Sequence, residues 1–470
     1  MNKTSLPLLI SFIPAIGGAA NQSKPNVLMI IVDDLRPELG CYGVDAIQTP
    51  VMDSLAGESL MFRNAFCNTP VSGASRASML TGLYPKLPER FSHAFTYAQE
   101  DAPEAIPMPQ WFKDHGYHTV SNGKVFHNID DHSSAWSEDP WRVNMEGYES
   151  HWAVYNKWEL WMSDVSARTI HPKTMRGPFY ESADLPDSAY QDGKVALKTI
   201  SDLRRLKESG DPFFLACGFW RPHLPFNAPK KYWDLYNREE IPLADNNYRS
   251  ENLPSQVRTP TEINAYGGVY DKSEEAFQRV AKHGYYACVS YVDAQIGKVL
   301  NELKALSLEE STIVIIFGDH GWHLGENSFW GKHTLMRRST QIPLIIHLPG
   351  TNSGETLSLV ELVDLYPTLC DLTGIPQPQD QLQGRSFAPV FNDARFKTKD
   401  ALFVQWGKGD NAINTRYSYA KWMKDGVVEA EMLFDHKIDP DENHNMVKSS
   451  VYKPMKNYLS GMIDYLRSKL

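Results

Sequence analysis

The sequence is poor in cysteine and lacks both long apolar runs and clustered basic residues. Its five cysteines, spread over 470 residues, form no C-x-x-C pair and are too few and too dispersed for a disulfide scaffold. We expect most of them to be small core residues. One disulfide is compatible with the sequence, and Cys67 is the cysteine of most interest because it precedes a serine cluster. With no lysine–arginine tract and a formal net charge of −10, the composition excludes nucleic acid as a partner.

The first residues follow the pattern of a signal peptide. Lys3 precedes an apolar run over residues 6–16, and the small residues Gly18 and Ala20 follow at cleavage-like spacing. A buried N-terminal strand is the alternative, which the proline and glycine residues of this stretch disfavour. No later stretch approaches the about 18 consecutive apolar residues of a membrane span. We therefore expect residues 1–20 to be removed, the protein to be exported and periplasmic or secreted, and no membrane insertion after signal removal.

Short apolar runs recur along the rest of the chain, each followed by a polar or glycine-containing turn and then by helical spacing. They occupy residues 26–34, 118–124, 212–220, 311–320 and 342–350. Residues 27–32 and 313–317 are apolar at every position, as expected of strands covered on both faces. Helix candidates lie at residues 49–59, 108–116, 285–306 and 360–372. The pattern predicts an α/β fold in which helices sandwich a large, mostly parallel mixed sheet.

A polar break follows residue 391, and the remaining chain has the pattern of short strands joined by turns. We predict a large domain over residues 21–394 and a smaller C-terminal α+β domain with an antiparallel sheet over residues 395–470. Two insertions interrupt the large domain, a polar segment at about 239–275 and a tryptophan-rich one at about 128–165. The second contains Trp136, Trp141, Trp152, Trp158 and Trp161. Such excursions are often functional lids, and the indoles suit sugar rings as well as the anchoring of a long loop.

Ionisable residues follow several of the predicted strands. They are Asp33 and Asp34 after the first run, Asp319 and His320 after another, and Lys124, His127 and His223 after two more. The carboxyl ends of parallel strands point to one edge of an open sheet, where ligands bind, so these side chains can meet. Adjacent carboxylates repel each other unless a cation offsets their charge. Three aspartates suit a hard divalent cation, Ca²⁺ or Mg²⁺, better than zinc, and His320 would be an unusual nitrogen contribution.

The stretch VSGASRASMLTG, residues 71–82, combines serines with an arginine at a predicted helix start. Helical spacing begins near Ala74, so Ser72 is expected just before a helix whose free N–H groups favour an anion. Arg76, one turn later, can grip a tetrahedral oxyanion through two parallel hydrogen bonds. Serine is also a favoured N-cap, worth about 1 kcal/mol. The residues alone leave open which serine is the cap.

Together these residues resemble the type I sulfatases of the alkaline phosphatase superfamily. The signature of that family is Cys or Ser, any residue, Pro or Ala, Ser or Ala, Arg, then four residues and Thr-Gly. It is matched here by Ser72, Gly73, Ala74, Ser75, Arg76, Thr81 and Gly82. The likeness continues through NVLMIIVDDLRPELGCYG, GKVFH, RPHLPF, FGDHGWHLGE, LVDLYPTL and LFDHKIDPDEN, which span almost the whole mature chain. It is strongest toward the iduronate-2-sulfatase subgroup and implies an alkaline-phosphatase-like fold.

The resemblance implies a role for each clustered residue. Ser72 would be oxidised to 3-oxoalanine (formylglycine), whose hydrate attacks sulfur with one hydroxyl and expels sulfate with the other. The metal-binding positions, usually occupied by Ca²⁺, are matched by Asp33, Asp34, Ser72, Asp319 and His320. Arg76 and Lys124 match residues that steady the hydrated aldehyde, and His127 matches the proposed base of the elimination. His223 and Lys332 match the pair that binds sulfate and assists the leaving oxygen.

The resemblance predicts a sulfatase, a sulfuric ester hydrolase that removes O-sulfate from a sulfated carbohydrate. The 2-O-sulfate of an iduronate or a related uronic acid is favoured; carrageenan and ulvan stay open. Lys332, Arg337 and Arg338 are cationic candidates for binding an acidic sugar, although the two arginines suit a solvent-facing role as well. Ser72 stands where aerobic members usually have Cys, so the chain resembles bacterial members matured by a radical-SAM enzyme.

Two further interpretations stay open at the level of sequence. A phosphomonoesterase or phosphodiesterase on the same scaffold is expected to carry a second metal cluster rich in His and Asp, whereas the sequence indicates one cluster. A non-catalytic glycan-binding protein would keep Ser72 unmodified and bind through the tryptophan-rich loop. The near-complete set of catalytic positions argues against the second interpretation.

Overall fold

The computed structural model describes residues 24–143, 171, 173–174, 176–269 and 271–470. The predicted signal peptide, residues 1–20, and three tryptophans of the tryptophan-rich insertion, Trp152, Trp158 and Trp161, lie outside the described residues. Within the described part of the chain, no helix combines the length and the apolar character that crossing a membrane requires.

The strands of the described residues fall into one large sheet, one smaller C-terminal sheet and two short pairs. In chain order they are β1 (Asn26–Val32), β2 (Leu60–Phe66), β3 (His118–Gly123), β4 (Tyr180–Glu181), β5 (Phe213–Phe219), β6 (Phe226–Asn227), β7 (Thr312–Gly318), β8 (His323–Leu324), β9 (Trp330–Gly331), β10 (Gln341–Ile342), β11 (Leu344–His347), β12 (Gly354–Glu361), β13 (Leu402–Trp406), β14 (Gly409–Ile413), β15 (Tyr417–Lys424) and β16 (Val427–Asp435).

The helices of the described residues range from single turns to one of 31 residues. In chain order they are α1 (Pro50–Gly57), α2 (Ser72–Thr81), α3 (Ala98–Asp101), α4 (Met108–Asp114), α5 (Gln191–Ser209), α6 (Lys230–Trp233), α7 (Glu275–Ala305), α8 (Arg337–Thr340), α9 (Leu365–Thr373) and α10 (Lys453–Arg467).

The large sheet is mixed, with a parallel centre. Its strand order is β10-β2-β11-β7-β1-β5-β3, and β12 pairs with β2. β1 runs parallel to both β5 and β7, and β3 runs parallel to β5, whereas β11 is antiparallel to β7 and β2. Because β1, β3, β5 and β7 share one direction, the loops that follow them emerge at one edge of the sheet.

Helices cover both faces of this sheet, as the sequence predicts. Every residue of β1, β5 and β7 is buried. Alternate residues of β1 belong to different cores: Leu28 packs with the residues of α5 and α7, and Met29 packs with those of α2, α4 and α9. Burying an aliphatic side chain of this size contributes about 1.5–3 kcal/mol. The run of consecutive apolar residues is therefore explained by two cores, one on each face.

Two boundaries and one helix are the main differences between the sequence-based elements and the structure. Residues 360 and 361, predicted as helix, end β12, and α9 begins only at Leu365 after a short 3-10 turn. A reciprocal capping box between Glu361 and Asp364 makes this change of direction. The helix predicted from residue 285 begins at Glu275. The sequence analysis does not identify the 19-residue helix α5.

The C-terminal sheet is four-stranded and antiparallel, in the order β13-β14-β15-β16, with α10 packed against β14 and β15. Apolar residues of β13, β14 and β16 form a core with Leu459 and Ile463 of α10. This confirms the predicted C-terminal antiparallel α+β unit; the boundary at residue 395 stays a prediction.

Candidate active site

The parallel centre of the large sheet brings two acidic loops together. Asp33 and Asp34 follow β1, Asp319 and His320 follow β7, and the two strands pair up to Val32 and Gly318. The backbone N–H of Asp34 donates to Oδ1 of Asp319 (3.0 Å). Each of the four residues offers one ligand atom, these atoms lie within 4.8 Å of one another, and all four residues are buried. We call these four residues the acidic cluster.

Helix α7 supports the turn that contains Asp33 and Asp34. Asp34 has a left-handed backbone (φ 61°), a conformation that Asp tolerates better than most residues. The hydroxyl of Tyr285, on α7, donates to the carbonyl of Asp34 (2.9 Å) and accepts from the N–H of Arg36 (3.1 Å). This support lets both carboxylates reach the same small volume.

Ser72 enters the acidic cluster from helix α2. Its Oγ lies 2.9 Å from Oδ1 of Asp33 and 2.9 Å from Nε2 of His320. Ser72 is the first residue of α2, not the residue before it, and the N-cap is Val71 without a side-chain cap bond. The other serines serve elsewhere: Ser75 donates to the carbonyl of Asp319 (2.6 Å) and Ser78 to that of Leu83 (2.7 Å). No serine of this stretch is therefore the N-cap.

Gly73 allows this close approach of α2. A Cβ at position 73 would lie 2.0 Å from the carbonyl oxygen of Ala94, so only glycine fits beside that chain segment.

Two buried cations offset the carboxylates beside Ser72. Nε of Arg76 donates to Asp319 (2.9 Å) and Nη2 donates to Asp33 (3.3 Å), while Nζ of Lys124 forms an ion pair with Asp33. Although burial opposes ionisation, these positive charges hold the pKa of Asp33 well below its ordinary value. Asp33 is therefore ionised and tied to both cations.

A second pair of basic groups reaches Asp34. Nζ of Lys332 donates to Oδ1 of Asp34 (2.8 Å), and Nε2 of His223 lies 3.9 Å from its Oδ2. Both are also joined by a residue that the sequence analysis missed. Oε1 of Glu262 lies 3.0 Å from Nε2 of His223, and Oε2 lies 3.2 Å from Nζ of Lys332.

The Glu262 carboxylate requires a proton between itself and His223. Nδ1 of His223 lies 2.7 Å from the carbonyl oxygen of Leu224, which only accepts, so Nδ1 carries a hydrogen. A proton is then also required between Nε2 and the Glu262 carboxylate. Although burial opposes ionisation, the positive charge of Lys332 and then that of His223 hold the pKa of Glu262 well below its ordinary value. Glu262 lies in the polar insertion and belongs to no motif. Its acidic side chain is the only sign of a role that the sequence offers.

The acidic cluster fits a divalent cation. Oδ2 of Asp34 is buried and has no hydrogen-bond partner among the described residues. Burial raises the pKa of Asp34 well above its ordinary value, and the neighbouring carboxylates reinforce the effect, so a bound positive charge would relieve it. Nδ1 of His320 donates to the carbonyl of Gly321 (3.0 Å), which leaves the Nε2 lone pair directed at Ser72 and the aspartates. Burial also lowers the pKa of His320 well below its ordinary value, so the ring is neutral, as a ligand must be.

Two further buried residues, also missed from sequence, hold the loops of the site. Asp192, on α5, accepts from the N–H groups of Trp220 (2.9 Å) and Arg221 (2.8 Å), immediately before His223. Arg142 donates through Nε to the carbonyl of Gly123 and through Nη1 to that of His127, each at 3.0 Å. The two residues thus fix the backbone that presents His223 and Lys124.

The remaining predicted residues lie at the edge of this arrangement. His127 is buried, with its ring edge-on to Phe95 at 5.3 Å between centroids. Arg337 begins α8, and its Nε donates to Gln341 (2.7 Å). Arg338 pairs with Asp441 (2.6 Å). The substrate-binding role assigned to Arg337 stays a prediction.

All five cysteines are free thiols in the structure. Cys67 is buried, its Sγ lies 3.9 Å from the carbonyl of Ser339, and burial raises its pKa well above the ordinary value. The disulfide left open by the sequence is absent from the structure.

Comparison with known proteins gives concordant results. A family model described as sulfatase matches residues 25–375, and one described as N-sulphoglucosamine sulphohydrolase, C-terminal, matches residues 325–469. The iduronate 2-sulfatase of Mus musculus is 34% identical over 416 residues, which cover 79% of this chain and 73% of that protein.

Solved structures share the fold at lower identity. The 2-O GAG sulfatase BT1596 has a TM-score of 0.68 and 22% identity, with 95% of this chain and 92% of that chain covered. The phosphonate monoester hydrolase SpPMH from Silicibacter pomeroyi has a TM-score of 0.74 and 22% identity, with coverage of 95% and 96%. The fold alone therefore does not distinguish a sulfatase from a phosphonate monoester hydrolase.

Proposed function

The chain belongs to the formylglycine-type sulfatase family, and we propose that it hydrolyses the 2-O-sulfate of an iduronate or related uronic acid in a sulfated glycan. We propose Ser72 as the nucleophile after oxidation to formylglycine and Ca²⁺ as the metal. The observation that carries this proposal is the position of Ser72 Oγ, 2.9 Å from both Asp33 and His320 inside the acidic cluster. The choice of sugar is supported by the 34% identity to an iduronate 2-sulfatase.

The side chains of the acidic cluster have the donor set for such a cation. Asp33, Asp34, Asp319 and His320, together with modified Ser72, would hold it. A bound Ca²⁺ would supply a positive charge that offsets the carboxylates and polarises the oxygens of an anionic ester. Arg76 and Lys124 hold the Asp33 carboxylate ionised beside Ser72, and Arg76 also orients Asp319.

The basic pair at Asp34 suits the leaving oxygen. When the S–O bond breaks, negative charge develops on the sugar oxygen, and a positioned N–H group that donates to it lowers the barrier. Nε2 of His223 and Nζ of Lys332 are the donors proposed for this task. Hydrolysis consumes one water and yields the free sugar hydroxyl, sulfate and a proton; His127 is the proposed base on the nucleophile side.

The first test is peptide mass spectrometry over residues 64–76, on protein made with a radical-SAM maturation enzyme. Conversion of Ser72 removes a pair of hydrogen atoms, about 2 Da, or appears as the hydrate of the aldehyde. Matured protein should then release sulfate from a 2-O-sulfated uronate disaccharide faster than from 6-O-sulfated, ulvan or carrageenan oligosaccharides. If active protein carries unmodified Ser72, the proposal that formylglycine is the nucleophile is wrong. If the matured protein prefers another oligosaccharide, the proposed sugar is wrong, but the protein is still a sulfatase.

The cellular location is part of the proposal. We propose export with removal of residues 1–20, to the periplasm or the medium. Fractionation of the native host and N-terminal sequencing of the mature protein test it, and a cytoplasmic protein that retains Met1 would contradict it.

A further inference from the structure

A second cavity, of about 780 Å³, adjoins the candidate active site. Its size is typical of sites for small organic ligands. It lies between the loop around residues 255–258 and two hairpin turns of the C-terminal sheet, and His333, the neighbour of Lys332, forms part of its wall. The lining residues that matter here are Arg258, His333, Trp406, Lys408, Trp422 and Lys424.

His333 connects this cavity to the catalytic residues. Lys332 points to Asp34, whereas the ring of the next residue stacks on Trp406, with 5.0 Å between centroids and 16° between planes. The backbone of His333 is left-handed (φ 72°), a conformation that costs a non-glycine residue about 1 kcal/mol or more. Burial lowers the pKa of His333 to about 3, so the stacked ring is neutral. One strained residue thus places an aromatic surface next to Lys332 in the sequence and against Trp406 in the cavity wall.

Two tight turns present cations to the same cavity. β13 and β14 are joined by Gly407 and Lys408, and both residues have positive φ (58° and 67°). β15 and β16 are joined by Asp425 and Gly426, again with positive φ (51° and 78°), directly after Lys424. Two-residue loops with positive φ at both positions are type I′ turns, which match the twist of the strands and are well defined.

A glycine brings the tryptophan of β15 under the first turn. A Cβ at Gly409 would lie 2.5 Å from Nε1 of Trp422, so glycine is needed where that indole packs. Trp422 is buried, Trp406 is partly exposed, and both line the cavity. The cavity therefore has two indoles in its lining, and indole faces suit the apolar faces of sugar rings.

The cations of the cavity are free to bind a ligand. Arg258, Lys408 and Lys424 are exposed, and none has a side-chain hydrogen bond or ion pair with the described residues. Elsewhere in the same sheet basic side chains are paired, as Lys421 is with Asp464 (2.7 Å).

Two carboxylates, Asp425 and Glu429, also line the cavity. Three cations with two carboxylates suit a ligand that carries both anionic groups and hydroxyl donors better than they suit an inorganic polyanion. An acidic sugar has that composition.

We propose that this cavity binds the sugars that adjoin the sulfated residue in an acidic glycan, with Trp406 as the stacking surface and Arg258, Lys408 and Lys424 as the carboxylate- or sulfate-binding groups. The inference rests on the proposed function, because it extends the substrate outward from the sulfate. The C-terminal sheet would then take part in substrate recognition, and a longer glycan should be the better substrate.

The test compares a long and a short substrate in matured enzyme. The short substrate is the methyl glycoside of a 2-O-sulfated uronic acid, which has no neighbouring sugar, and the long one is a tetrasaccharide that ends in the same unit. The triple variant R258A/K408A/K424A should lose about tenfold in kcat/KM for the tetrasaccharide, as expected from three exposed ion pairs, and keep its kcat/KM for the methyl glycoside. The charge-matched control K207A/K437A/K448A removes three exposed lysines outside the cavity and should change neither value.

The stacking surface is tested separately by Trp406. W406A should lower kcat/KM for the tetrasaccharide. W406F should retain most of the wild-type value, because phenylalanine keeps an aromatic face. If W406A does not fold, the triple variant of exposed residues still decides.

Binding separates failure of this inference from failure of the proposed function. Calorimetry with unmodified Ser72 protein, which lacks the nucleophile, measures tetrasaccharide affinity without turnover. Hydrolysis of both substrates with an unchanged ratio in the triple variant overturns the cavity and leaves the function intact. If neither substrate is hydrolysed, the function fails; tighter tetrasaccharide binding by wild type than by the triple variant then supports the cavity, and equal binding overturns it.

Discussion

The Oγ atom of Ser72 lies 2.9 Å from Oδ1 of Asp33, although the two residues are 39 positions apart in the sequence. The contact exists because β1 delivers Asp33 to the carboxyl edge of the sheet and α2 begins at that edge with Ser72. A hydroxyl held between a carboxylate and a neutral imidazole is confined in position, so its chemistry depends on both neighbours.

Ser72→Ala should abolish sulfatase activity and leave the fold intact. The substitution removes the hydroxyl that reaches the acidic cluster, and loss of the proposed nucleophile should cost at least about a thousandfold in kcat. Ser78→Ala, six residues later in α2, is the matched control, because Ser78 bonds the carbonyl of Leu83. That control should lose about 1 kcal/mol of stability and keep its activity. Sulfate release and thermal unfolding measure both, and an active Ser72→Ala protein would refute the assignment.

Calcium should stabilise the protein through the acidic cluster. A ligand that binds only the native state at a hundredfold excess over its Kd adds about 2.7 kcal/mol to the free energy of unfolding. EDTA should therefore lower the Tm and the activity together, and Ca²⁺ should restore both. Asp34→Asn should largely remove the effect, because Oδ2 of Asp34 is the buried oxygen without a hydrogen bond among the described residues.

A buried aspartate elsewhere provides the control for calcium. Asp293 accepts from the N–H groups of Val51 and Met52 at the start of α1 and takes no part in the acidic cluster. Asp293→Asn should keep the full calcium response. An equal response in Asp34→Asn would instead place the stabilising ion outside the cluster.

Asp192→Asn should lower kcat and change how stability depends on pH. The carboxylate holds the turn before His223, and a misplaced catalytic group costs about tenfold or more. Burial raises the pKa of Asp192 to about 6, above its unfolded value of about 4, so the native state binds more protons between these values. The contribution of this group favours folding at low pH and is lost as the pH rises to about 6. Wild type should therefore lose at most about 3 kcal/mol relative to Asp192→Asn over that range.

Asp187 gives the opposite sign in the same measurement. Although burial opposes ionisation, hydrogen bonds from Lys231 and Lys298 lower its pKa to about 2. Its contribution is present above about pH 4 and is lost as the pH falls toward about 2. Urea unfolding at a series of pH values compares wild type with Asp192→Asn and with Asp187→Asn. If both variants give curves parallel to that of wild type, the assignments are contradicted.

Sequence analysis identifies the site residues that follow a recognisable strand or motif. It misses the residues whose role depends only on tertiary contacts. Asp33, Asp34, Asp319 and His320 each follow an apolar strand, so the rule that parallel strands end at one edge predicts their meeting. Asp192 and Arg142 bond backbone groups of other loops, and such pairings depend on tertiary contacts that no periodicity records.

The same limit explains the errors in element boundaries. Val360 and Glu361 follow the helical spacing of the residues after them, yet pairing with Ala65 and Phe66 of β2 keeps them extended. Strand pairing over nearly 300 residues outweighs local helical preference.

Glu262→Gln should make inorganic sulfate a stronger inhibitor. The carboxylate lies 3.0 Å from His223 and 3.2 Å from Lys332, the two groups proposed to contact a sulfate ester, so it is an internal anion that repels or competes with an anionic ligand. Removing its charge should lower the inhibition constant of sulfate about tenfold and lower KM, while kcat falls because the proton held at Nε2 of His223 loses the negative charge that stabilises it. Glu310→Gln removes the same charge from an exposed residue at the opposite end of β7 and should leave sulfate inhibition unchanged. Weaker inhibition in Glu262→Gln would show instead that the carboxylate positions His223 and Lys332 for sulfate, and Glu262→Ala, which removes the contact altogether, should then weaken it further.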